Sequence, residues 1–89
     1  MAYESVTVDA TVGGVLLTAA TYLRATKAFM TLESAQIRFT KDGTAPTTSV
    51  GHLLQVGQTV YLENADEIRN FRAIRTGSSS GVLKVTYEG

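Results

Sequence analysis

The stretch Val82–Glu88, which reads VLKVTYE, decides the fold class of this chain. Apolar side chains at Leu83, Val85 and Tyr87 alternate with polar ones between them. A period of two residues is typical of a strand with one buried face and one exposed face. The C-terminal stretch therefore predicts a β-strand whose Leu83, Val85 and Tyr87 point inward.

The same kind of pattern recurs along the rest of the chain. Further strands are predicted at Tyr3–Asp9, Val15–Thr18, Lys27–Glu33, Ala35–Thr40, Gln58–Glu63 and Phe71–Arg75. About six to eight short strands, with turn signals every ~8–12 residues, are typical of a small all-β domain. We expect a small antiparallel β-sandwich or a jelly-roll-like barrel. Periodicity does not give strand order, so an immunoglobulin-like sandwich stays open as well.

The segments between these strands carry turn and capping signals. Asn64–Asn70 is predicted to hold one helical turn, with Asn64 as its cap and Glu67 at the capping-box position. Ala19–Arg24 is either one helical turn or a loop. Asp42-Gly43 marks a tight turn. Val50–Gly57 is interpreted as a short apolar connection bounded by glycines.

Length and composition limit the classes of protein that need to be considered. The 89 residues form one predicted domain, residues 1–89, which contains no cysteine and a single histidine, His52. Disulfides are excluded and a zinc site is not expected, so we expect a small domain of this kind to gain stability by forming a homo-oligomer. The net charge of zero disfavours nucleic acid as a partner. The N-terminal residues do not resemble a signal peptide and the apolar runs are short, so we expect a soluble chain made in the cytoplasm, with no membrane partner.

The side chains that could act in catalysis or bind a metal do not form a recognisable catalytic or metal-binding set. His52 lacks a nucleophile motif, and Asp42 is a lone carboxylate in a turn that does not match a calcium loop. Asp66 and Glu67 are adjacent on a polar turn, where a solvated role is expected. We therefore expect no enzymatic activity, no cofactor and no metal.

One local concentration of charge comes from Arg69, Arg72 and Arg75, interleaved with Phe71 and Ile74. Arg72 and Arg75 fall on opposite faces of a strand, so one of them must share a face with core side chains. This arrangement favours a structural or interface role over nucleic-acid binding. The four tyrosines fit a sugar-binding surface, the edge of a core or an interface, and their spacing does not decide between these roles.

Several segments from Leu32 onward resemble a family of small structural proteins encoded in tailed bacteriophages and prophages. The matching elements are Glu33/Ala35/Ile37/Arg38/Phe39, the turn Asp42–Thr47, Val50–Leu54, Phe71–Arg75 and Val85–Tyr87, with a weaker match at Gly13–Tyr22. The resemblance implies a virion component, most like a capsid decoration or cement protein. Such proteins bind the major capsid protein or other virion proteins on the capsid exterior as oligomers, commonly trimers.

Within that interpretation, we expect the interface to include Arg72, Arg75, Tyr61 and Phe71. The alternative is a carbohydrate- or receptor-binding β-module of a head fibre or tail appendage. Exposed coplanar aromatic side chains would favour that alternative.

Overall fold

A computed structural model describes residues 2–89 and contains eight strands and two short helices in this part of the chain. In chain order they are β1 (Ala2–Val8), β2 (Val15–Leu16), α1 (Ala19–Tyr22), β3 (Lys27–Ser34), β4 (Ile37–Thr40), β5 (His52–Leu54), β6 (Thr59–Leu62), α2 (Ala65–Asn70), β7 (Arg72–Arg75) and β8 (Gly81–Glu88). The prediction of an all-β domain is confirmed.

The strands form two four-stranded antiparallel sheets. The first sheet has the order β1-β8-β3-β6 and the second has the order β2-β7-β4-β5. The strand pairs are nested, because β1 pairs with β8, β2 with β7, β3 with β6 and β4 with β5. Successive nested pairs alternate between the two sheets, which is the strand order of a jelly roll. The structure thus distinguishes the jelly roll from the immunoglobulin-like sandwich.

The core lies between the inner faces of the two sheets. In β8 the inward side chains are Leu83, Val85 and Tyr87, as predicted. In β3 the alternation is regular, so Ala28, Met30 and Leu32 are buried while Phe29 faces the other way. From the second sheet the core receives Ile37, Phe39, Leu54 and Ala73, and from α2 and its end it receives Ile68 and Phe71.

A loop of the chain itself covers part of the outer face of the second sheet. Arg38 holds this loop, because its Nε donates a hydrogen bond to the carbonyl of Thr48 at 3.0 Å and its Nη1 donates to Gly51 O at 2.9 Å. The hydroxyl of buried Thr40 donates to Thr44 O at 2.6 Å. Pro46, at the middle of the loop, is fully buried. Part of the outer face of the second sheet is therefore covered by this loop and shielded from solvent.

The predictions for β4 and β5 need correction. β4 begins at Ile37 and not at Ala35, because Ala35 has a positive φ of 57° that is incompatible with a strand. The stretch Val50–Gly57 is more than a connection, since it contains the edge strand β5, which pairs with β4. β5 has only three residues, two exposed and then one buried, so it shows no alternation by which the sequence could have predicted it.

The helical segments follow the capping signals. Asn64 caps α2, and its side chain accepts a hydrogen bond from the Glu67 N–H at 2.9 Å. Glu67 reaches back and accepts from the Glu63 N–H at 2.8 Å, one residue before the cap. The ambiguous segment Ala19–Arg24 forms the single turn α1.

Candidate binding face

The outer face of the first sheet carries a row of four side chains, three of them aromatic, that runs across all four strands. Register places Tyr3 of β1 beside Thr86 of β8, Thr86 beside Phe29 of β3, and Phe29 beside Tyr61 of β6. We call these four residues the aromatic row. With neighbouring strands about 4.8 Å apart, the row is about 14 Å long.

Solvent reaches both ends of the aromatic row. Tyr3 is 59% exposed and Tyr61 is 63% exposed, whereas Phe29 is half-buried between its neighbours. The rings of Phe29 and Tyr61 have centroids 5.0 Å apart and are tilted by 46°. These side chains are not needed to fill the core, which lies on the opposite face of the same strands. Exposed tyrosine side chains are enriched at protein interfaces, so this face is the candidate binding face.

Hydroxyl groups dominate the next positions along the same face. Ser5, Lys84, Thr31 and Thr59 follow in register across the four strands. Lys84 Nζ donates to Ser5 Oγ at 3.2 Å and lies 3.9 Å from a carboxylate oxygen of Glu33. The face therefore combines apolar rings with many uncharged hydrogen-bonding groups.

A shallow depression of about 260 Å³ lies at one end of the aromatic row. It is lined by Lys27, Ala28, Phe29, Tyr61, Leu62, Glu63 and Glu88. Lys27 pairs in register with Glu88 at this end of the sheet. Among residues 2–89, Lys27, Glu63 and Glu88 form no ion pair within 4 Å.

A partly buried hydrogen bond beneath the face connects the first sheet to the neighbouring loop. The Tyr87 hydroxyl donates to the carboxylate of Glu4, and the same carboxylate oxygen accepts from the Thr18 N–H at 3.2 Å. Burial, reinforced by the nearby Glu4 carboxylate, raises the pKa of Tyr87 well above its ordinary value. Tyr87 is thus a neutral donor that connects β8 to β1 and to the start of α1.

The structure does not place the four predicted interface residues on one common surface. Tyr61 lies on the aromatic row, whereas Phe71 is only 1% exposed and packs in the core against Phe39 at a centroid distance of 5.8 Å. Phe71 therefore does not present a surface to a partner, and its inclusion among the contact residues is corrected. The reason is that Phe71 ends α2 and is not part of β7, so strand alternation does not govern its direction.

The two arginines have structural contacts of their own. Arg72 Nη1 donates to Gly13 O at 2.9 Å and so holds the loop before β2. Arg75 is the arginine that shares the inner face with core residues, since it pairs with Ile37, and its Nη1 donates to Ser80 Oγ at 3.3 Å. Neither arginine lies on the outer face of the first sheet, so the structure does not bring them together with Tyr61.

Sequence reasoning did not single out Tyr3 and Phe29 as a pair with Tyr61. One signal for Phe29 was available in the sequence. Strand alternation places Phe29 on the face opposite to Ala28, Met30 and Leu32. The rest depends on which strands are neighbours, and residues 3, 29 and 61 come together only through long-range pairing.

The polar residues considered above as candidates for catalysis or metal binding make ordinary hydrogen bonds, ion pairs and ring contacts at the surface. Asp42 accepts from the Thr44 N–H at 3.0 Å, and hydrogen bonding by the side chain and then the backbone of Thr44 keeps the pKa of Asp42 below its ordinary value. Asp66 pairs with Arg69, and Glu67 lies 3.6 Å from Lys41. His52 is exposed on β5, with its ring 5.6 Å from Phe39. Within residues 2–89 no group of three His, Cys, Asp or Glu side chains is arranged to hold a metal ion.

Neither short helix in the described part of the chain has the length or the apolar character needed to cross a membrane. Comparison with protein-family models, curated proteins and solved structures finds no match to this chain.

Proposed function

We propose that this chain is a structural component of a tailed-bacteriophage particle, most like a capsid decoration protein, and that it binds a protein surface of the particle through the outer face of its first sheet. The observation that carries the proposal is the aromatic row, with Tyr3 and Tyr61 exposed on a face that the core does not use. The identity of the partner rests on the resemblance of the strand and turn elements to phage structural proteins.

The difference between the two sheets supports the choice of surface. On the second sheet, the loop held by Arg38 and Pro46 already covers part of the outer face. On the first sheet, the corresponding face presents aromatic rings and hydroxyl groups to solvent. Tyrosine offers large contact area with a polar group at its tip and loses little conformational entropy, which is why it is enriched at protein interfaces.

The fold is compatible with this role. Jelly rolls occur in viral capsid proteins and in lectins, although a fold alone does not define a function. A decoration protein stabilises a capsid by mass action, because it binds the assembled lattice and not the separated subunits. A homo-oligomer, with a trimer as the first expectation, would present several copies of the face at once and so increase the overall affinity.

Two measurements test the proposal. Purified chain is mixed with expanded empty capsids assembled from the major capsid protein of the phage or prophage that is proposed to encode the chain, and the capsids are sedimented. We expect saturable co-sedimentation and a rise in the thermal or mechanical resistance of the capsid. Sedimentation equilibrium of the free chain measures its oligomeric state. A lack of binding at concentrations well above micromolar contradicts the decoration role.

The second candidate is a carbohydrate- or receptor-binding module on a head fibre or tail appendage. The end depression favours it, because two aromatic rings lie there beside charged groups that form no ion pair with any other residue of the described range 2–89. The Phe29 and Tyr61 rings are tilted and not coplanar, which does not match the flat platform that would favour a module of this class most strongly.

A further inference from the structure

We infer that the end depression beside Phe29 and Tyr61 is a binding site for one ring of a soluble, uncharged oligosaccharide. This inference rests on the second candidate function and deepens it, because it names the class of ligand for the same depression, and it does not depend on the decoration role. It rests on the size, the shape and the hydrogen-bonding groups of a recess that none of the other contacts in the structure explains.

The size of the recess limits the ligand. About 260 Å³ is just below the ~300–1,000 Å³ of sites for drug-sized ligands. It therefore fits a single small ring and leaves the rest of a longer molecule outside. The tilt of 46° between the Phe29 and Tyr61 rings makes them two walls of a recess instead of a flat platform. A single soluble chain fits such walls better than the flat surface of a crystalline polysaccharide does.

The aromatic walls require a ligand with an apolar face. Tyr61 is mostly exposed and its ring lies beside that of Phe29, so the exposed side of the Tyr61 ring is available for stacking. The C–H groups on one face of a sugar ring provide such an apolar patch. Burying this patch against an aromatic ring is favourable because both surfaces leave water.

The polar rim requires hydroxyl groups. Glu63 and Glu88 carry carboxylates that can only accept hydrogen bonds, and Lys27 carries an ammonium group that can only donate. A ligand that satisfies all three must therefore offer both donors and acceptors around its edge, as the hydroxyl groups of a sugar do. Two carboxylates against one ammonium group make the site slightly acidic, which disfavours glycans with carboxylate, sulfate or phosphate groups.

An adjoining depression gives a place for a second sugar unit. It is lined by Thr26, Lys27, Thr86, Glu88 and Gly89, and so shares Lys27 and Glu88 with the first. The two recesses follow one another along the end of the first sheet. The continuous surface predicts that disaccharides or longer oligosaccharides bind more tightly than single sugars.

The test uses the full chain labelled with ¹⁵N and three uncharged probes: maltotetraose, cellotetraose and tetra-N-acetylchitotetraose. Amide chemical shifts are followed by NMR as each probe is added, with a sialylated trisaccharide and a suspension of crystalline cellulose as comparisons. We expect at least one uncharged probe to shift the amides of Lys27, Phe29, Tyr61 and Glu88 in a saturable manner. We expect weaker binding by the sialylated probe and by cellulose.

Variants then locate the site. Tyr61→Ala is expected to weaken binding of the best probe roughly fivefold or more, and Tyr61→Phe to keep it within about twofold, because stacking needs the ring and not the hydroxyl. Tyr3→Ala is the matched control, since Tyr3 is exposed to a similar extent on the same row but lies at its far end. Tyr3→Ala is expected to leave saccharide binding unchanged.

Three results would overturn the inference. They are the absence of shifts at these amides with all three uncharged probes, shifts that map to another surface, or stronger binding of the sialylated probe than of the uncharged ones. If the saccharides fail while capsids still bind and Tyr61→Ala weakens capsid binding, the recess is part of the protein interface. If capsids fail while a saccharide binds, the decoration role is wrong and the site stands.

Discussion

Pro46 packs directly against the backbone of Gly14, so closely that a methyl group at Gly14 would lie 2.9 Å from Cγ and Cδ of the proline ring. The same methyl group would lie 3.0 Å from Cβ of Arg72. Gly14 also has a φ of +91°, which side chains other than glycine rarely adopt. The loop that covers the second sheet and the loop before β2 therefore meet at a position that only glycine fits.

This contact predicts that Gly14→Ala lowers the free energy of unfolding by about 2–6 kcal/mol, since backbone strain and overpacking each contribute about 1–3 kcal/mol. Chemical denaturation followed by circular dichroism measures the effect. Gly57→Ala is the control, because Gly57 has nearly the same φ, +89°, but a methyl group there meets nothing within 4 Å. Equal losses in the two variants would show that the Pro46 contact adds nothing to the strain.

A second close approach occurs where β8 begins. A methyl group at Gly81 would lie 2.7 Å from Cγ2 of Ile37 and 3.0 Å from the carbonyl oxygen of Ser34. Ile37 is fully buried and the carbonyl belongs to the backbone, so neither can move away easily. Gly81→Ala is expected to destabilise the chain by about 1–3 kcal/mol through overpacking.

Gly77→Ala provides the comparison for this effect, because Gly77 lies four residues earlier, in the turn before β8, with open space where a methyl group would be. We expect its midpoint of thermal unfolding to stay within about 2 °C of the parent chain, as for surface substitutions generally. A Gly81→Ala chain as stable as Gly77→Ala would mean that the sheets can separate slightly at this end.

The elements with long alternating patterns were predictable from sequence, and the arrangement of those elements was not. The inward residues of β8 follow from Leu83, Val85 and Tyr87 alone, and the cap of α2 follows from Asn64 and Glu67. These features depend on neighbours in the sequence, where propensity and periodicity act directly. The three-residue strand β5 is too short for such a pattern and exists because β4 offers it an open edge.

The candidate site could be predicted only in part for the same reason. Tyr61 was identified as a contact residue, but its partners Tyr3 and Phe29 are distant in sequence and share a face through strand order. Phe71 was assigned to the wrong environment because the boundary between α2 and β7 lies at that residue. A shift of one residue in a strand boundary changes whether alternation applies to a side chain at all.

The partly buried hydrogen bond between Tyr87 and Glu4 predicts a specific response to alkaline pH. Burial raises the pKa of Tyr87 in the folded chain above the value of about 10 that an unfolded tyrosine has. The unfolded chain therefore loses this proton first, and folding stability is retained below about pH 10 and falls above it. The expected slope is about 1.4 kcal/mol per pH unit for this one group.

Urea unfolding between pH 8 and pH 11.5 measures that slope, and Tyr87→Phe provides the comparison. The phenylalanine variant loses the hydrogen bond to Glu4, so we expect it to be less stable than the parent at pH 8 by about 1 kcal/mol. Its stability should then fall less steeply above pH 10, because the group that titrates only in the unfolded chain is gone. Parallel curves for the two proteins would contradict the assignment of the alkaline loss to Tyr87.

The aromatic row predicts which substitutions separate binding to the particle from stability. Tyr3→Ala and Tyr61→Ala each remove an exposed ring from the proposed face, and we expect each to weaken co-sedimentation with capsids roughly tenfold, in line with the ~1–2 kcal/mol lost when a moderate contact residue is truncated.

Leu53→Ala is the control, since Leu53 is also an exposed apolar residue but lies on the second sheet. Circular dichroism and thermal unfolding should show all three variants folded, because each changed side chain points to solvent. A Leu53→Ala variant that loses capsid binding, beside tyrosine variants that keep it, would move the interface to the second sheet. Both tyrosines are needed in this test, because the loss at Tyr61 alone is also expected from the saccharide site, whereas the loss at Tyr3 reports only on the protein partner.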